Sequence, residues 1–211
     1  ILEDLVLTLA ERAGHTVVDR QRRVEVDGVR GKIDAVVDGV LVDAKSCSPR
    51  AFEKFVTGKI LDEDPFGYIT QLSGYWSVID THRAGFLAIN KVDGELFFYE
   101  LQPEARQSLS SVQDRITLVR ETVSLGVEPV RCYEPVAEGK SGNLRLGVGC
   151  SYCPHKFHCW RDSNDGQGLK TYYYSTGPKF LVHVEKEPRV KSYETEVDPD
   201  LIDKFPTRAT D

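Results

Sequence analysis

Methionine is absent from the 211-residue sequence, and tryptophan occurs only twice. The sequence begins at Ile1, so its first residue says nothing about where the natural chain starts. No apolar run approaches the roughly 18 residues that a membrane-spanning helix needs. No basic-then-apolar leader is visible, so the expected location is the cytoplasm and no membrane is expected as a partner. No Gly-x4-Gly-Lys-Ser/Thr occurs, which excludes a P-loop motor within this chain. Internal repeats and low-complexity tracts are missing too, so a solenoid is not expected. Positive charge is in deficit: 27 Lys and Arg stand against 33 Asp and Glu, for a net charge of −6. That excludes a generic nucleic-acid-coating protein. It leaves room for a nuclease, whose acids need a metal and whose cations can be local.

What is present is a hydrophobic content of 40%, enough for one globular domain with an appendage and a real core. Five cysteines occur, and three of them cluster as Cys150-x2-Cys153-x5-Cys159. An odd number without a secretion signal points to metal binding before disulfides.

The most informative stretch runs from Gly31 to Lys45. Asp38-Gly39 lies between two apolar-alternating runs, the pattern of a two-residue type I′ turn. Such a turn sets Val37 against Val40 and hence Asp34 against Asp43. Their Cβ atoms would lie roughly 4.5–5.5 Å apart, a spacing at which like charges destabilise a sheet. Lys45, two residues on, shares the face of Asp43. Two carboxylates beside a lysine suit a divalent cation such as Mg²⁺, which takes oxygen ligands and keeps several waters. The same pattern also fits a hairpin with an ordinary polar, solvent-facing side.

A second Asp-Gly, at Asp27-Gly28, predicts another tight turn with Val26 across from Val29. Together the turns predict a three-stranded meander beginning near His15. Gln21, Asp34 and Asp43 would form one cross-strand row, with Arg23, Lys32 and Lys45 in the next. A bulge would move that register by one and reverse the faces.

Around the meander, Leu2, Leu5, Val6, Leu9 and Ala13 recur at helical spacing, predicting a helix over residues 2–13 that Gly14 closes. Ser48-Pro49 can start a helix reaching residue 58. Residues 62–67 read as a loop, and a helix over 68–82 carries Gln71 and Tyr75 four residues apart on one face. Strands at 86–90 and 96–101 precede a helix from Pro103 to about Leu125. Residues 171–190 look like a hairpin, and 191–211 form a charged tail. The predicted class is α/β, with a mixed sheet flanked by helices. The predicted divisions are a core over 1–126, a cysteine-cluster segment over 127–170, and a C-terminal hairpin and tail over 171–211.

Gly31-x2-Asp34, then Asp43-Ala44-Lys45, then Gln71-x3-Tyr75 resembles the PD-(D/E)XK nuclease superfamily. The Gln-x3-Tyr element is similar to the branch holding RecB-like, CRISPR-associated RecB-like and phage exonucleases. The resemblance covers about residues 1–160, and the proline that family members often carry before the first acid is absent. It implies a restriction-endonuclease-like αβββαβ core with a C-terminal cysteine-cluster segment. It implies a DNA exonuclease dependent on Mg²⁺ or Mn²⁺, active in phage or bacterial recombination, repair or replication. Asp34 and Asp43 would be metal ligands, Lys45 the catalytic lysine, and Gln71 and Tyr75 residues that organise the site. A further ligand from the first helix would be Glu3, or else Glu11.

The resemblance also implies that Cys150, Cys153 and Cys159, completed by a fourth cysteine, hold a [4Fe–4S] cluster. Cys132 is the favoured fourth ligand and Cys47 the alternative. Zn²⁺ remains a competing occupant, with His155 or His158 as further candidate ligands. Either metal would be structural, because its binding energy is folding energy.

Among the cations Arg20, Arg22, Arg23, Arg30, Lys32, Arg50, Lys54 and Lys59, only Arg23 and Lys32 fall beside the acids in the expected register. These two are the candidate DNA-backbone contacts. Tyr68, Tyr75 and Trp76 could stack on splayed bases. Candidate partners besides DNA are a single-strand-binding protein, a recombinase or a helicase. Two rival functions remain: a structure-specific endonuclease, and a non-catalytic DNA-binding protein held by a metal knuckle. A soluble iron–sulfur redox protein is a weaker third, because it has no use for the hairpin acids.

Overall fold

The computed structural model describes residues 2–193. The tail expected over 191–211 therefore lies almost wholly outside the described residues. The chain divides into two compact units, residues 1–120 and 121–211.

Unit 1 opens with helix α1 (Leu2–Arg12), followed by strands β1 (Val17–Val18), β2 (Arg23–Val26), β3 (Val29–Lys32), β4 (Ala35–Val37) and β5 (Val40–Cys47). Helices α2 (Pro49–Val56) and α3 (Tyr68–Trp76) come next, then strands β6 (Arg83–Asn90) and β7 (Leu96–Leu101). The sheet has the order β1-β4-β5-β6-β7. Only β5 and β6 run parallel; the other neighbours are antiparallel. This is the expected α/β class with a mixed sheet flanked by helices.

Both Asp-Gly turns form as the dipeptides demand. Asp27 and Gly28 have φ of 47° and 74°, and Asp38 and Gly39 have 50° and 78°. These are the paired positive φ angles of a type I′ turn. The registers follow, with Val26 against Val29 and Val37 against Val40.

The meander itself does not form as one sheet. β2 and β3 make a separate two-stranded ribbon. Two local features cause the break. Asp19 and Gln21 take positive φ, 56° and 53°, which turns the chain out of β1 before β2 begins. Further along, Ile33 is buried in the cluster beneath α2 and α3, whereas Ala35 is buried in the cluster beneath α1. Residues two apart in a regular strand share a face, so the chain must twist between them at Asp34. The row Arg23–Lys32–Lys45 is accordingly broken: Arg23 and Lys32 still pair with each other, but on the ribbon.

The sheet carries a core on each face. Phe52 and Phe55 of α2 and Leu72 and Trp76 of α3 pack on Leu41, Ala84, Phe86 and Ala88. Phe55 and Phe86 meet at 5.4 Å between ring centroids. Burying either ring is worth roughly 1.5–3 kcal/mol. On the other face, Val6 and Leu7 of α1 pack on Ala35 and Ile89.

The helices are cut by side-chain chemistry. Ser48 Oγ accepts from the Ala51 amide at 3.4 Å and Pro49 occupies the first turn, starting α2 where expected. α3 ends at Trp76, short of the expected residue 82, because the Trp76 indole donates to the Thr81 carbonyl at 2.9 Å and Ser77 Oγ to Gly74 O at 2.6 Å. Pro103–Ala105 is a separate 3₁₀ turn, so α4 spans only Leu109–Leu125.

Unit 2 is organised around a five-stranded antiparallel sheet. Its strands are β8 (Val136–Ala137), β9 (Leu144–Arg145), β10 (Lys170–Tyr174), β11 (Gly177–His183) and β12 (Ser192–Tyr193), in the order β12-β10-β11-β9-β8. Because β8 and β9 pair into the hairpin of β10 and β11, the segments expected at 127–170 and 171–211 share one sheet. Buried Asn143 ties its loop together. Its Oδ1 accepts from the Glu185 and Lys186 amides at 2.9 and 2.8 Å, and its Nδ2 donates to Lys186 O at 2.8 Å.

Candidate active site and thiol cluster

The site of unit 1 lies at a fork in the sheet. β4 pairs with β5 only over Val40–Val42, whereas β6 pairs with β5 as far as Cys47. Beyond Val42, one backbone edge of β5 is therefore open. Asp34, at the twist where the chain leaves the sheet, takes over: its Oδ2 accepts from the Ala44 amide at 2.7 Å. A side chain thus satisfies a donor that the missing strand would have used.

Asp43 and Lys45 alternate with Leu41 and Cys47 on the α2/α3 face. Asp43 is buried, and its Oδ2 lies 2.6 Å from Lys45 Nζ. That contact is an ion pair without the angular geometry of a hydrogen bond, so Oδ2 keeps an unused acceptor direction. Lys45 Nζ also donates to Gln71 Oε1 at 3.4 Å, and Gln71 Nε2 donates to the Tyr75 hydroxyl at 3.4 Å. Asp43, Lys45, Gln71 and Tyr75 therefore form one chain of polar contacts from β5 onto α3.

Glu3 reaches the same place from α1. Burial raises its pKa first, and the charge of Asp34 adds to this. Burial likewise raises Asp34, with the charge of Asp43 next in size and the Ala44 amide opposing. Asp43 is raised chiefly by burial, against the pull of Lys45. Three carboxyls raised together titrate as a set and share protons where a cation would neutralise them. Glu11, the second choice, is spent elsewhere: Arg20 holds it at 3.0 Å.

A cleft of about 290 Å³ opens here, lined by Leu2, Glu3, Ala44, Lys45, Ser46 and Ile89. Among the described residues no three Asp, Glu, His or Cys side chains already stand in a coordinating arrangement. The donor set nevertheless fits a hard cation: three oxygen-bearing side chains, all raised in pKa, with an unused acceptor direction on the most buried of them.

Three residues gain contacts here that the motifs do not specify. Gln21 Nε2 donates to Glu3 Oε1 at 2.5 Å. The Tyr68 ring lies under Lys45 Nζ, 4.4 Å from its centroid. Gly31 gives the Tyr75 ring its room, since a Cβ there would stand 2.5 Å from the Tyr75 hydroxyl. Tyr68 was expected only as a base-stacking candidate; its contact with Lys45 follows from sharing a helix face with Gln71 and Tyr75, three and seven residues on. Gln21 was expected in a cross-strand row with Asp34 and Asp43, and its amide does donate to the Asp34 carbonyl at 3.0 Å; its contact with Glu3 had no local signal, because it depends on a backbone turn. Trp76, a stacking candidate, is buried with its indole bonded to Thr81, which removes it from the surface.

Of the cations, Arg20, Arg22, Arg30 and Lys54 are held by Glu11, Asp19, Glu25 and Glu63. Arg23 and Lys32 face each other on the ribbon, exposed and without an ion pair among the described residues. Two cations placed opposite each other repel, so both are available to an anion.

Unit 2 gathers the thiols. Burial pushes the Cys150 thiol up in pKa, and Cys159, Cys132 and Cys153 each add to the rise. All are free thiols. Two arginine staples tie the stretch of chain before Cys132 to the Cys159 segment. Arg131 stacks on Trp160 at 4.0 Å, donates to Cys159 O at 3.2 and 3.0 Å, and pairs with Asp162. Arg161 grips Glu128 with two bonds of 3.0 and 2.8 Å. As a donor set these four thiols fit Zn²⁺ or an iron–sulfur cluster, and among the described residues they do not already stand in a coordinating arrangement. Cys47 is buried in the unit 1 core, donating to Lys45 O at 3.4 Å. His158 Nε2 stands 3.3 Å from Arg161 Nη1, and His155 is exposed.

No helix among the described residues is long and apolar enough to cross a membrane. No family model matches the chain, and no curated protein matches it significantly. A solved structure described as "Crystal structure of SSO0001" aligns with 73% of this chain and 66% of its own, at 16% identity and a TM-score of 0.38. The chain thus spans just under two thirds of that protein, and a likeness so slight says nothing about chemistry.

Proposed function

We propose that this chain is a metal-dependent DNA exonuclease of the RecB-like PD-(D/E)XK type, with Asp34, Asp43 and Glu3 as the Mg²⁺ or Mn²⁺ ligands. The observation that carries this is the crowding of three acids against Lys45 at the sheet fork, with Gln71 and Tyr75 lined up behind the lysine.

Each residue then has a task. Asp34 and Asp43 supply buried oxygens from the two sides of the fork, and Glu3 closes the set from α1. The bound cation supplies Lewis acidity and a water acidic enough to attack near neutral pH. Lys45 places an ammonium beside that set, where it can stabilise charge developing on a phosphate. Gln71 accepts from Lys45 and limits its swing, and Tyr75 anchors Gln71. Tyr68 supports Lys45 from below through a cation–π contact. Arg23 and Lys32 offer phosphate contacts that carry no sequence information.

In unit 2, Cys132, Cys150, Cys153 and Cys159 would hold a [4Fe–4S] cluster, or Zn²⁺, whose role is to cross-link the chain. Broad visible absorption in protein purified without oxygen distinguishes iron–sulfur from colourless zinc. The setting is the cytoplasm of a bacterium or of a phage-infected cell, during recombination, repair or replication. The partners besides DNA are a single-strand-binding protein, a recombinase or a helicase.

The test is digestion of end-labelled linear and circular DNA, single- and double-stranded, with Mg²⁺ and with EDTA. Metal-dependent release of nucleotides from linear DNA alone is expected. Cleavage of circles would make the protein an endonuclease. No cleavage of any substrate, despite bound metal, would leave a non-catalytic DNA-binding protein.

A further inference from the structure

Gln21 stands outside every motif, yet it joins two parts of the acidic site. Its backbone amide donates to the Asp34 carbonyl at 3.0 Å, and its side-chain amide donates to Glu3 Oε1 at 2.5 Å. It does so at φ 53°, a left-handed conformation that glutamine rarely adopts. Asp19, also at positive φ, accepts from the Arg22 amide at 3.1 Å, and Arg22 O accepts from Ile33 at 3.1 Å. The turn is thereby latched to the segment that presents Asp34. A strained non-glycine residue that persists because its surroundings hold it is a pointer to function.

From this we infer that Gln21 is a positioning residue for metal binding: it holds Glu3 of α1 at the distance from Asp34 that a shared divalent cation requires. The inference rests on Glu3, Asp34 and Asp43 being a metal site. The physical case is direct. Glu3 lies in the first turn of α1, with its side chain half-buried. Beside Asp34 it is repelled by like charge, and without a donor its carboxylate would swing toward water. An amide is suited to hold it, since it donates a hydrogen bond to the carboxylate and carries no charge to compete with a cation. Gln21 draws its own position from the Asp34 backbone, so one residue sets the spacing of two ligands. Partners of metal ligands commonly contribute about 10- to 100-fold in affinity.

The experiment measures Mn²⁺ binding by the whole chain, by calorimetry and by the electron paramagnetic resonance of free Mn²⁺. The variants are Gln21→Gly, Glu3→Ala and the double variant. Glycine suits φ 53° and removes only the amide, so the melting temperature of Gln21→Gly is expected to stay level or rise. Its Mn²⁺ affinity is expected to fall about tenfold. In the Glu3→Ala background, Gln21→Gly is expected to change affinity no further, because it acts through Glu3. Wild-type affinity in Gln21→Gly would overturn the inference and leave the metal site standing. Additive losses in the double variant would overturn it too, assigning Gln21 to the turn alone. Failure of the wild type to bind Mn²⁺ would overturn the metal site itself.

Discussion

The two units solve opposite problems with charged and metal-seeking side chains. Unit 1 has a hydrophobic cluster of fifteen buried residues under its sheet. It can hold the strands that carry Asp34 and Asp43 whatever those acids do, and it tolerates an unfavourable cluster of carboxyls at its fork. Among the described residues of unit 2, the cluster around the thiols holds five buried residues, one of them Cys150 itself, with Tyr172 and Leu181 buried beyond it. So small a cluster around the thiols gives that corner little apolar support, and metals are a usual supplement in such places. In unit 1 a cation would relieve strain in a fold that already stands. In unit 2 a metal would be part of what makes the fold stand.

That contrast is most open to breakage at the thiols. Cys150→Ser is expected to release the metal from residues 121–193 and expose that region to protease, while residues 2–120 stay protected. Structural thiolate sites contribute on the order of 10 kcal/mol, so the effect should be all or none. Limited proteolysis with mass mapping reads it. Equal protection of both regions in the variant would refute the contrast.

The acids should behave in the reverse sense. Lys45→Ala is expected to lower nucleotide release by about 100- to 1,000-fold, and Asp34→Asn to abolish it, with the fold intact in both. In EDTA, Asp34→Asn should be more stable than the wild type at neutral pH, because it removes one charge from the cluster while its amide oxygen can still accept from Ala44. The sign follows from the raised pKa values of Glu3, Asp34 and Asp43. Their contribution to stability is full below the ordinary carboxylate range and is lost as pH rises through the raised values. Urea unfolding against pH should thus show wild-type stability climbing on acidification toward the ordinary carboxylate range, with a shallower climb in the variant. A wild type that loses stability over that interval would contradict the crowding.

A smaller effect is expected at Gly31. In Gly31→Ala the new methyl meets the Tyr75 hydroxyl, and the ring must move away from Gln71. Nuclease activity should fall by up to about 100-fold, as misplacement by an ångström can cost, with little change in melting temperature. Gly31→Ala combined with Tyr75→Phe should lose little more than either alone if the two act through one contact. The smallest effects belong to the ribbon. Arg23→Ala and Lys32→Ala should each weaken DNA binding evenly across sequences and flatten the salt dependence by about one unit of slope. Fluorescence anisotropy over a salt series measures this, and a loss confined to one DNA sequence would be the wrong outcome.

Much of unit 1 was legible because its signals are local. Asp27-Gly28 and Asp38-Gly39 dictate positive φ pairs, and these set two registers without any help from the rest of the chain. Ser48-Pro49 starts a helix for equally local reasons. That Gln71 and Tyr75 share one helix face was legible from their spacing, but their place behind Lys45 comes from the packing of that helix on the sheet. The ribbon was not legible. Its departure depends on Ile33 and Ala35 being claimed by clusters on opposite faces, and no dipeptide records that. The length of α3 went unread as well, since Trp76 and Ser77 mark its end through bonds to Thr81 and Gly74 that hydrophobic spacing does not report.

Sequence alone therefore determined the two tight turns and the α/β order of elements, because each depends on conformational preferences within a few residues. Tertiary structure decided that Asp34 replaces a missing strand and that Glu3, not Glu11, joins the acids. It also decided that Gln21 latches them and that Arg131 and Arg161 tie residues 128–131 to the segment carrying Cys159. These depend on groups far apart in the chain, brought together by burial of apolar surface, and burial follows no rule of spacing.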